Sequence, residues 1–247
     1  MKARHILTPL AIAAGFLLAW QGLILATGLP PFLLPGPARV AGALLTHHQV
    51  LTRAALHTAT EILAGFALGA GAGAMLAVAM AAFPRLAAAL RPVLLLSQVI
   101  PIFALAPILT LWLGYGMAPK IVVTALICFF PVASAFLDGL VRTSPACLDL
   151  ARTMGANRWR EMVHIRIPMA LPMLGSGLKL AAVYAPIGAV IGEWVGGSEG
   201  LGAVMIHANG RMRIDLSFAS LTLVTLIALT FHALVSRLVR RVLMRFG

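Results

Sequence analysis

Most of this chain consists of apolar runs about twenty residues long, and these runs decide what it can fold into. Six runs cover residues 7–27, 58–82, 93–114, 121–140, 173–195 and 216–238. At about 1.5 Å of rise per residue, each is long enough to cross the hydrocarbon core of a bilayer as a helix. Because backbone groups in lipid must bond within their own segment, we predict a single all-α membrane domain over residues 1–247, with six transmembrane helices.

Composition and charge support a membrane protein and predict its orientation. Of the 247 residues, 61% are hydrophobic and 11% are charged, whereas soluble domains are about one quarter charged. The net charge of +12 comes from basic residues between the apolar runs, so we expect a lipid bilayer, and no nucleic acid, as the partner. With six spans, thirteen Lys and Arg residues share a side with both termini, and five lie on the other side. The positive-inside rule therefore predicts a multi-pass protein of the cell membrane with both termini in the cytoplasm.

The second predicted span carries small residues at regular spacing. Gly65, Gly69 and Gly73 fall on one helical face, one turn apart. Such a face allows another helix to approach closely within the membrane, so we expect a helix–helix contact there. Glu61, near the outer end of this span, is expected to lie at the membrane surface.

The third predicted span, which follows a short connection over residues 84–92, contains two prolines that should kink it. Broken helices in membranes often line a cavity, and a kink needed only for packing is the alternative. Polar and proline residues of the third to fifth spans are therefore candidates for a translocation path or its gate. They are Ser97, Gln98, Pro101, Pro107, Ser134, Tyr184 and Glu193.

Glu193 ends the fifth predicted span, just before a polar loop predicted over residues 196–215. Arg211 and Arg213 lie in that loop, so an ion pair that helps to close the outer mouth is one interpretation. An exposed carboxylate at the membrane surface, beside Trp194, is the other. An exposed pair would contribute ~0–1 kcal/mol, whereas breaking a buried pair would cost roughly 3–5 kcal/mol. Burial therefore decides between the two interpretations.

The segment between the fourth and fifth predicted spans, residues 142–172, includes the most polar long stretch of the chain, and we call it the arginine-rich loop. From residue 149 onward its acidic and arginine residues are Asp149, Arg152, Arg158, Arg160, Glu161 and Arg166. A helix, a sharp turn at Gly155-Ala156 and a second short helix stopped at Pro168 and Pro172 form the predicted structure. The apolar face of its first helix is predicted to contain Leu148, Ala151 and Met154.

This loop resembles the cytoplasmic loop of permease subunits of ABC-type importers, whose pattern is Glu-Ala-Ala-x-x-x-Gly followed, further on, by Ile-x-Leu-Pro. Here Asp149-Leu150-Ala151 takes the place of Glu-Ala-Ala, and Ile165-Arg166-Ile167-Pro168 takes the place of the final motif. The departures are conservative ones, such as Asp for Glu. The flanking segments also resemble the sulfonate/nitrate/taurine-type branch of these binding-protein-dependent permeases.

The resemblance implies a function and a set of partners. In this family the cytoplasmic helix-turn-helix loop couples the membrane helices to an ABC ATPase subunit, present in two copies. The coupling residues that it implies are Asp149, Ala151, Gly155, Ala156, Ile165 and Pro168. One chain has too few spans for the two-fold pathway of the family, so a second copy, in a homodimer, is expected. An extracytoplasmic solute-binding protein is expected to deliver the solute.

The sequence lacks the patterns of an enzyme. It contains no Gly-x-x-x-x-Gly-Lys-Ser/Thr phosphate loop, so ATP should be used by the partner subunit and no cofactor is expected on this chain. No metal-ligand spacing and no nucleophile–base pair is present, so no metal or catalytic residues are predicted. The alternative from another class is an ion-coupled secondary transporter. Such carriers usually place acids at mid-membrane, where this sequence has almost none.

The substrate is the property that the sequence determines least. Residues 191–202 and 207–215 look most like the thiamine-pyrimidine (hydroxymethylpyrimidine) permeases, which implies the pyrimidine precursor of thiamine. Aliphatic sulfonates, taurine, nitrate and riboflavin-like compounds are the alternatives within the same family. In this class the binding protein selects the solute, so the permease itself carries little of the specificity.

Overall fold

A computed structural model of the chain describes residues 2–244, with the side chains of residues 11, 12 and 14–244. The described residues form helices and loops and contain no β-strand. In chain order the helices are α1 (Lys2–Thr27), α2 (Pro37–Thr46), α3 (His48–Ala82), α4 (Pro84–Val99), α5 (Ile102–Leu113), α6 (Met117–Val141), α7 (Pro145–Thr153), α8 (Arg158–Glu161), α9 (Ile167–Gly196), α10 (Leu201–Gly210) and α11 (Ile214–Leu243). A π-helical turn, Met162–Arg166, joins α8 to α9.

Four helices are long and apolar enough to cross a membrane: α3, α6, α11 and the continuous 39-residue helix Arg158–Gly196. Helices α4 and α5 meet this criterion only as a pair, so the described residues provide four or five candidate spans. The first predicted span, 7–27, lies within α1, but part of it falls outside the described side chains. The apolar segment that is described there, Ala14–Thr27, is shorter than a span. The count of six spans therefore stays a prediction.

The third predicted span is not a single helix. Helices α4 and α5 meet at an angle of 98°, because the backbone is extended at Ile100 and Pro101. A residue that precedes proline is disfavoured in the helical conformation, which explains the break at this position. Pro107, by contrast, stays inside α5, so only one of the two predicted kinks breaks the helix. The predicted connection over residues 84–92 is also wrong, since it forms the first turns of α4.

Helix α6 is the centre of the fold and packs against both α3 and α9, which also contact each other. Gly65, Gly69 and Gly73 of α3 all face α6, which confirms the contact predicted from their spacing. A Cβ atom added at Gly73 would lie only 2.6 Å from the carbonyl oxygen of Phe129. Three glycines of α9 approach α6 in the same way, at Gly177, Gly188 and Gly192. Small residues thus allow both neighbours to reach the backbone of α6.

Helices α2 and α10 and the first turns of α11 cover one end of this core. Helix α11 packs on α9 and α10, and α2 packs on α11. Their buried apolar residues, among them Val40, Leu201 and Leu216, form one cluster with Leu51 of α3. Helix α10 occupies much of the segment 196–215, so the prediction of a loop there is wrong. Its apolar residues are spread around the helix instead of following one face, so no helical period marks it in the sequence.

Two glycines of α3 provide a test of the close packing against α6. Replacing Gly69 with Ala forces a methyl group into the carbonyl of Ala125, and such overpacking typically costs about 1–3 kcal/mol. Gly71 has nothing within 4 Å of an added Cβ, so Gly71→Ala is the matched control. We expect a lower melting temperature of the purified protein for Gly69→Ala and an unchanged or higher one for Gly71→Ala. Equal melting temperatures for the two variants would contradict the close contact.

Candidate functional site

Two polar regions lie at opposite ends of α6. One surrounds Lys120, near the start of the helix, and the other is the arginine-rich loop that follows its end. Between them, the two regions contain the buried acidic residues of the described chain, Glu61, Glu161 and Glu193.

The first region, which we call the buried polar cluster, consists of Thr58 and Glu61 of α3, Lys120 of α6 and Glu193 of α9. These four residues are 0–3% exposed. The ammonium group of Lys120 donates to Glu61 Oε1 at 2.9 Å and to the carbonyl oxygen of Glu199 at 2.8 Å. Because Thr58 and Glu61 are three residues apart on α3, their side chains lie next to each other.

The carboxylate of Glu193 holds the start of α10 in place. Thr58 Oγ1 donates to Glu193 Oε1 at 2.5 Å, and the backbone N–H of Gly202 donates to Oε2 at 2.5 Å. The N–H of Leu201 donates in turn to Thr58 Oγ1 at 2.9 Å. Gly200 has a φ of +110°, and a side chain there would overlap the Glu193 carboxylate. Three helices, α3, α9 and α10, are thus joined through one carboxylate.

Both interpretations of Glu193, the ion pair with the following arginines and the exposed carboxylate, are wrong. The side chain is 1% exposed, which rules out a carboxylate at the membrane surface. Its partners are Thr58 and Gly202 and not the arginines of the following segment. Arg213 instead donates to His47 Nε2 at 2.6 Å. Glu193 and the two arginines are close in sequence, but α10 lies between them.

The pair of Glu61 and Lys120 was not predicted. The sequence predicts Glu61 at the membrane surface, yet Glu61 and Lys120 are both buried. They lie 59 positions apart in the sequence, so no local spacing connects them. A sequence signal did exist, because a lysine and a carboxylate in apolar segments are costly unless they pair.

The other predicted pathway residues do not join the buried polar cluster. Most of them are exposed on the surface of the single chain, and Ser134 is half-buried. The exposed residues are Ser97, Gln98, Pro101, Pro107 and Tyr184. The hydroxyl of Ser97 donates to the carbonyl of Leu94 in its own helix, at 2.7 Å. Within one described chain these residues therefore enclose no site.

The second region, the arginine-rich loop, contains the predicted turn. Helix α7 ends in a Schellman motif, in which the N–H of Ala156 donates to the carbonyl of Ala151 and the N–H of Gly155 donates to that of Arg152, both at 2.9 Å. Gly155 has a φ of +81°, in the left-handed region that a Cβ atom disfavours. This confirms the turn predicted at Gly155-Ala156. The backbone conformation there favours glycine.

Arg152 connects the two sides of this turn. Its guanidinium donates from Nε to Glu161 Oε1 at 2.9 Å and from Nη1 to Asp149 Oδ1 at 3.2 Å. The hydrogen bond and charge of Glu161 raise the pKa of Arg152 above its ordinary value. Asn157 caps the second helix, since its Oδ1 accepts from the N–H of Arg160 at 2.8 Å. The loop is therefore a defined structure held by side chains.

The second helix of the loop does not stop at either proline. Pro168 lies in the first turn of α9 and Pro172 lies inside it. The π-helical turn before them lets the N–H of Ile167 reach the carbonyl of Met162, five residues back. A wider turn of this kind removes the usual clash of a proline ring with the preceding turn. Ile165 and Pro168 are half-buried at this junction.

The apolar face predicted for the first helix of the loop is only partly buried. Leu148 and Ala151 are buried, whereas Met154 is 79% exposed because it lies beyond the last turn of α7. Leu150 and Trp159 are exposed as well. The loop thus presents large apolar side chains to its surroundings, which is unusual for a segment so rich in charge.

Comparisons with known proteins agree on one family. Residues 65–246 match the model described as "binding-protein-dependent transport system inner membrane component". The chain is 44% identical to the "probable ABC transporter permease protein" of Haemophilus influenzae, over 98% of each chain. It is 36% identical to the riboflavin transport system permease protein of Chloroflexus aurantiacus, over 93% of this chain and 86% of the relative. It is 34% identical to the formylaminopyrimidine transport permease protein of Halalkalibacterium halodurans, over 84% of each.

The buried polar cluster makes a prediction that two neighbouring threonines can test. In Thr58→Val the shape is nearly kept, but Glu193 loses a donor and the N–H of Leu201 loses its acceptor. We expect this to destabilise the protein by about 1–3 kcal/mol per buried group left unpaired. Thr60→Val is the control, because Thr60 is exposed and bonds only to its own helix. The measurements are the melting temperature and the rate of proteolysis at residues 197–200, and equal values for both variants would contradict the role of Thr58.

Proposed function

The chain belongs to the family of binding-protein-dependent transport system inner membrane components, and from this premise we propose that it forms the membrane path for a small organic solute, the pyrimidine precursor of thiamine. It is an ABC transporter permease, and its relatives are permease subunits and not enzymes. The observation that carries the proposal is the family match, which covers residues 65–246 and so includes the whole arginine-rich loop.

The proposed substrate rests on the relatives and on the stretch 191–215. One relative is named for formylaminopyrimidine and another, of similar identity, for riboflavin. Both compounds are flat heteroaromatic molecules rich in nitrogen, and this shared chemistry supports a heteroaromatic solute over a sulfonate, taurine or nitrate. Riboflavin is therefore the second candidate. A solute-binding protein on the far side of the membrane is proposed to deliver the substrate.

The arginine-rich loop is the proposed docking site for a cytoplasmic ABC ATPase. The exposed side chains of Leu150, Met154 and Trp159 offer apolar surface, and exposed arginines surround it. The Arg152 contacts and the Schellman motif keep this surface in one shape, so that a force on the loop reaches α9 directly. In this proposal the loop and both termini face the cytoplasm, and two ATPase copies use the ATP.

A second copy of the chain is proposed to complete the translocation path. Ser97, Gln98 and Tyr184 are exposed on a single chain, so a path that they line needs a facing wall. The neighbouring helices α5 and α9 also expose large apolar side chains, such as Trp112 and Ile187. A homodimer with the path between its two copies accounts for both features.

Reconstitution into vesicles tests the proposed function. With the cognate binding protein and ATPase present, we expect ATP-dependent uptake of labelled hydroxymethylpyrimidine, no uptake of taurine, and no uptake when the ATPase is left out. Uptake of riboflavin in place of the pyrimidine would move the assignment to the second candidate. Uptake by this chain alone, driven by an ion gradient, would instead identify a secondary transporter.

Gly155 provides the test of coupling through the loop. Gly155→Val places a β-branched residue in the left-handed region, which costs roughly 1–2 kcal/mol and should distort the docking surface. Gly155→Asn is the matched control, because asparagine tolerates this conformation far better. We expect Val to lower uptake and solute-stimulated ATPase activity several-fold while the protein still inserts, and Asn to retain most of both. Normal uptake in the Val variant would show that the loop does not couple the two subunits.

A further inference from the structure

Glu61 has a carboxyl oxygen with no visible hydrogen-bond partner. Its Oε1 accepts from Lys120, but its Oε2 has no partner among the described residues, although the side chain is 0% exposed. A buried polar atom without a partner is costly, and a buried charge is more so. If Glu61 were ionised, this oxygen would be a buried, charged atom without a partner.

The donors around the cluster distinguish its two carboxyl groups. Both oxygens of Glu193 accept hydrogen bonds, from Thr58 and from the N–H of Gly202, which is the pattern of an ionised carboxylate. Glu61 lies one helical turn from Thr58, the residue that donates to Glu193 Oε1, so the two carboxyl groups lie on the same side of α3. Its free oxygen would therefore face a negative charge if it were ionised itself.

The charges at this end of the fold also favour one ionised and one neutral carboxyl group in the cluster. The cluster contains two carboxyl groups but one cation, Lys120, which pairs with Glu61 at 2.9 Å. At the surface, Arg53 and His57 lie 3.5 Å and 3.4 Å from the carboxylate of Glu199, so these groups balance one another. Glu199 contacts Lys120 through its backbone carbonyl and not through its carboxylate. No further cation among the described residues neutralises the second buried carboxyl group.

We propose that Glu61 carries a proton on Oε2 and donates it to the carboxylate of Glu193. The free oxygen then has a partner, and Lys120 balances the one remaining negative charge. Every polar atom of the cluster is satisfied in this arrangement. Glu61 is thus a proton-binding site and a positioning residue that acts on α10 through Glu193. The inference does not depend on which solute the permease carries.

Glutamine substitutions test the asymmetry between the two acids. In Glu61→Gln the amide oxygen still accepts from Lys120 and the amide N–H replaces the proposed O–H donor, so the melting temperature should stay within about 2 °C of the wild type. In Glu193→Gln one acceptor becomes a donor that faces Thr58 or Gly202, so a drop of about 5 °C or more is expected. A larger drop for Glu61→Gln than for Glu193→Gln would place the proton on Glu193 and overturn the proposal.

Infrared spectroscopy of the purified protein observes the proton directly. The wild type at neutral pH should show the C=O stretch of a protonated carboxyl group, and Glu61→Gln should abolish that band. Glu199→Gln is the control and should leave the band unchanged, because this nearby carboxylate is half-exposed and paired. A wild-type spectrum without the band, or a band that persists in Glu61→Gln, would show that Glu61 is ionised and would overturn the proposal even if the melting temperatures agreed with it.

Discussion

The close contact of α3 and α9 with the backbone of α6 is the constraint on which the rest of this structure depends. In lipid, apolar side chains gain little by leaving their surroundings for one another, so helices associate through close packing and hydrogen bonds. Glycines on both neighbours allow that packing along most of α6. The same approach brings Lys120 within 2.9 Å of Glu61, because the two helices touch near that level. A bulkier interface would separate the charges and leave each one buried alone.

The long helix from Arg158 to Gly196 links the two polar regions of the molecule. It begins in the arginine-rich loop, contains the π-helical turn and both prolines, and carries Glu193 near its other end. Its 39 residues span about 58 Å at 1.5 Å per residue. The first turn is held by Asn157 and Arg152, and the last by the contacts of Glu193. One continuous helix therefore joins the loop to the cluster that holds α10.

Local features of the sequence predicted local structure well. The glycine spacing of α3 identified the face that meets α6, and Gly155-Ala156 identified the turn after α7. The prolines were a weaker guide, because a proline breaks a helix only where the surrounding turns cannot adapt. The break occurs at Pro101, whereas Pro107, Pro168 and Pro172 remain in helices. Helix α10 was missed, since tertiary hydrogen bonds rather than an apolar stripe hold it in place.

The sequence by itself determined that this chain is a helical membrane protein with an arginine-rich loop between two apolar segments, and its motif indicated the family. These properties follow from apolar length, charge distribution and spacing along the chain, which need no knowledge of the packing. The tertiary structure alone decided that Glu61, Lys120 and Glu193 form one buried cluster. The reason is that the energy of a charge in an apolar interior depends on the partner within a few ångströms. That partner can be 59 positions away, as Lys120 is from Glu61, where no local pattern connects the two.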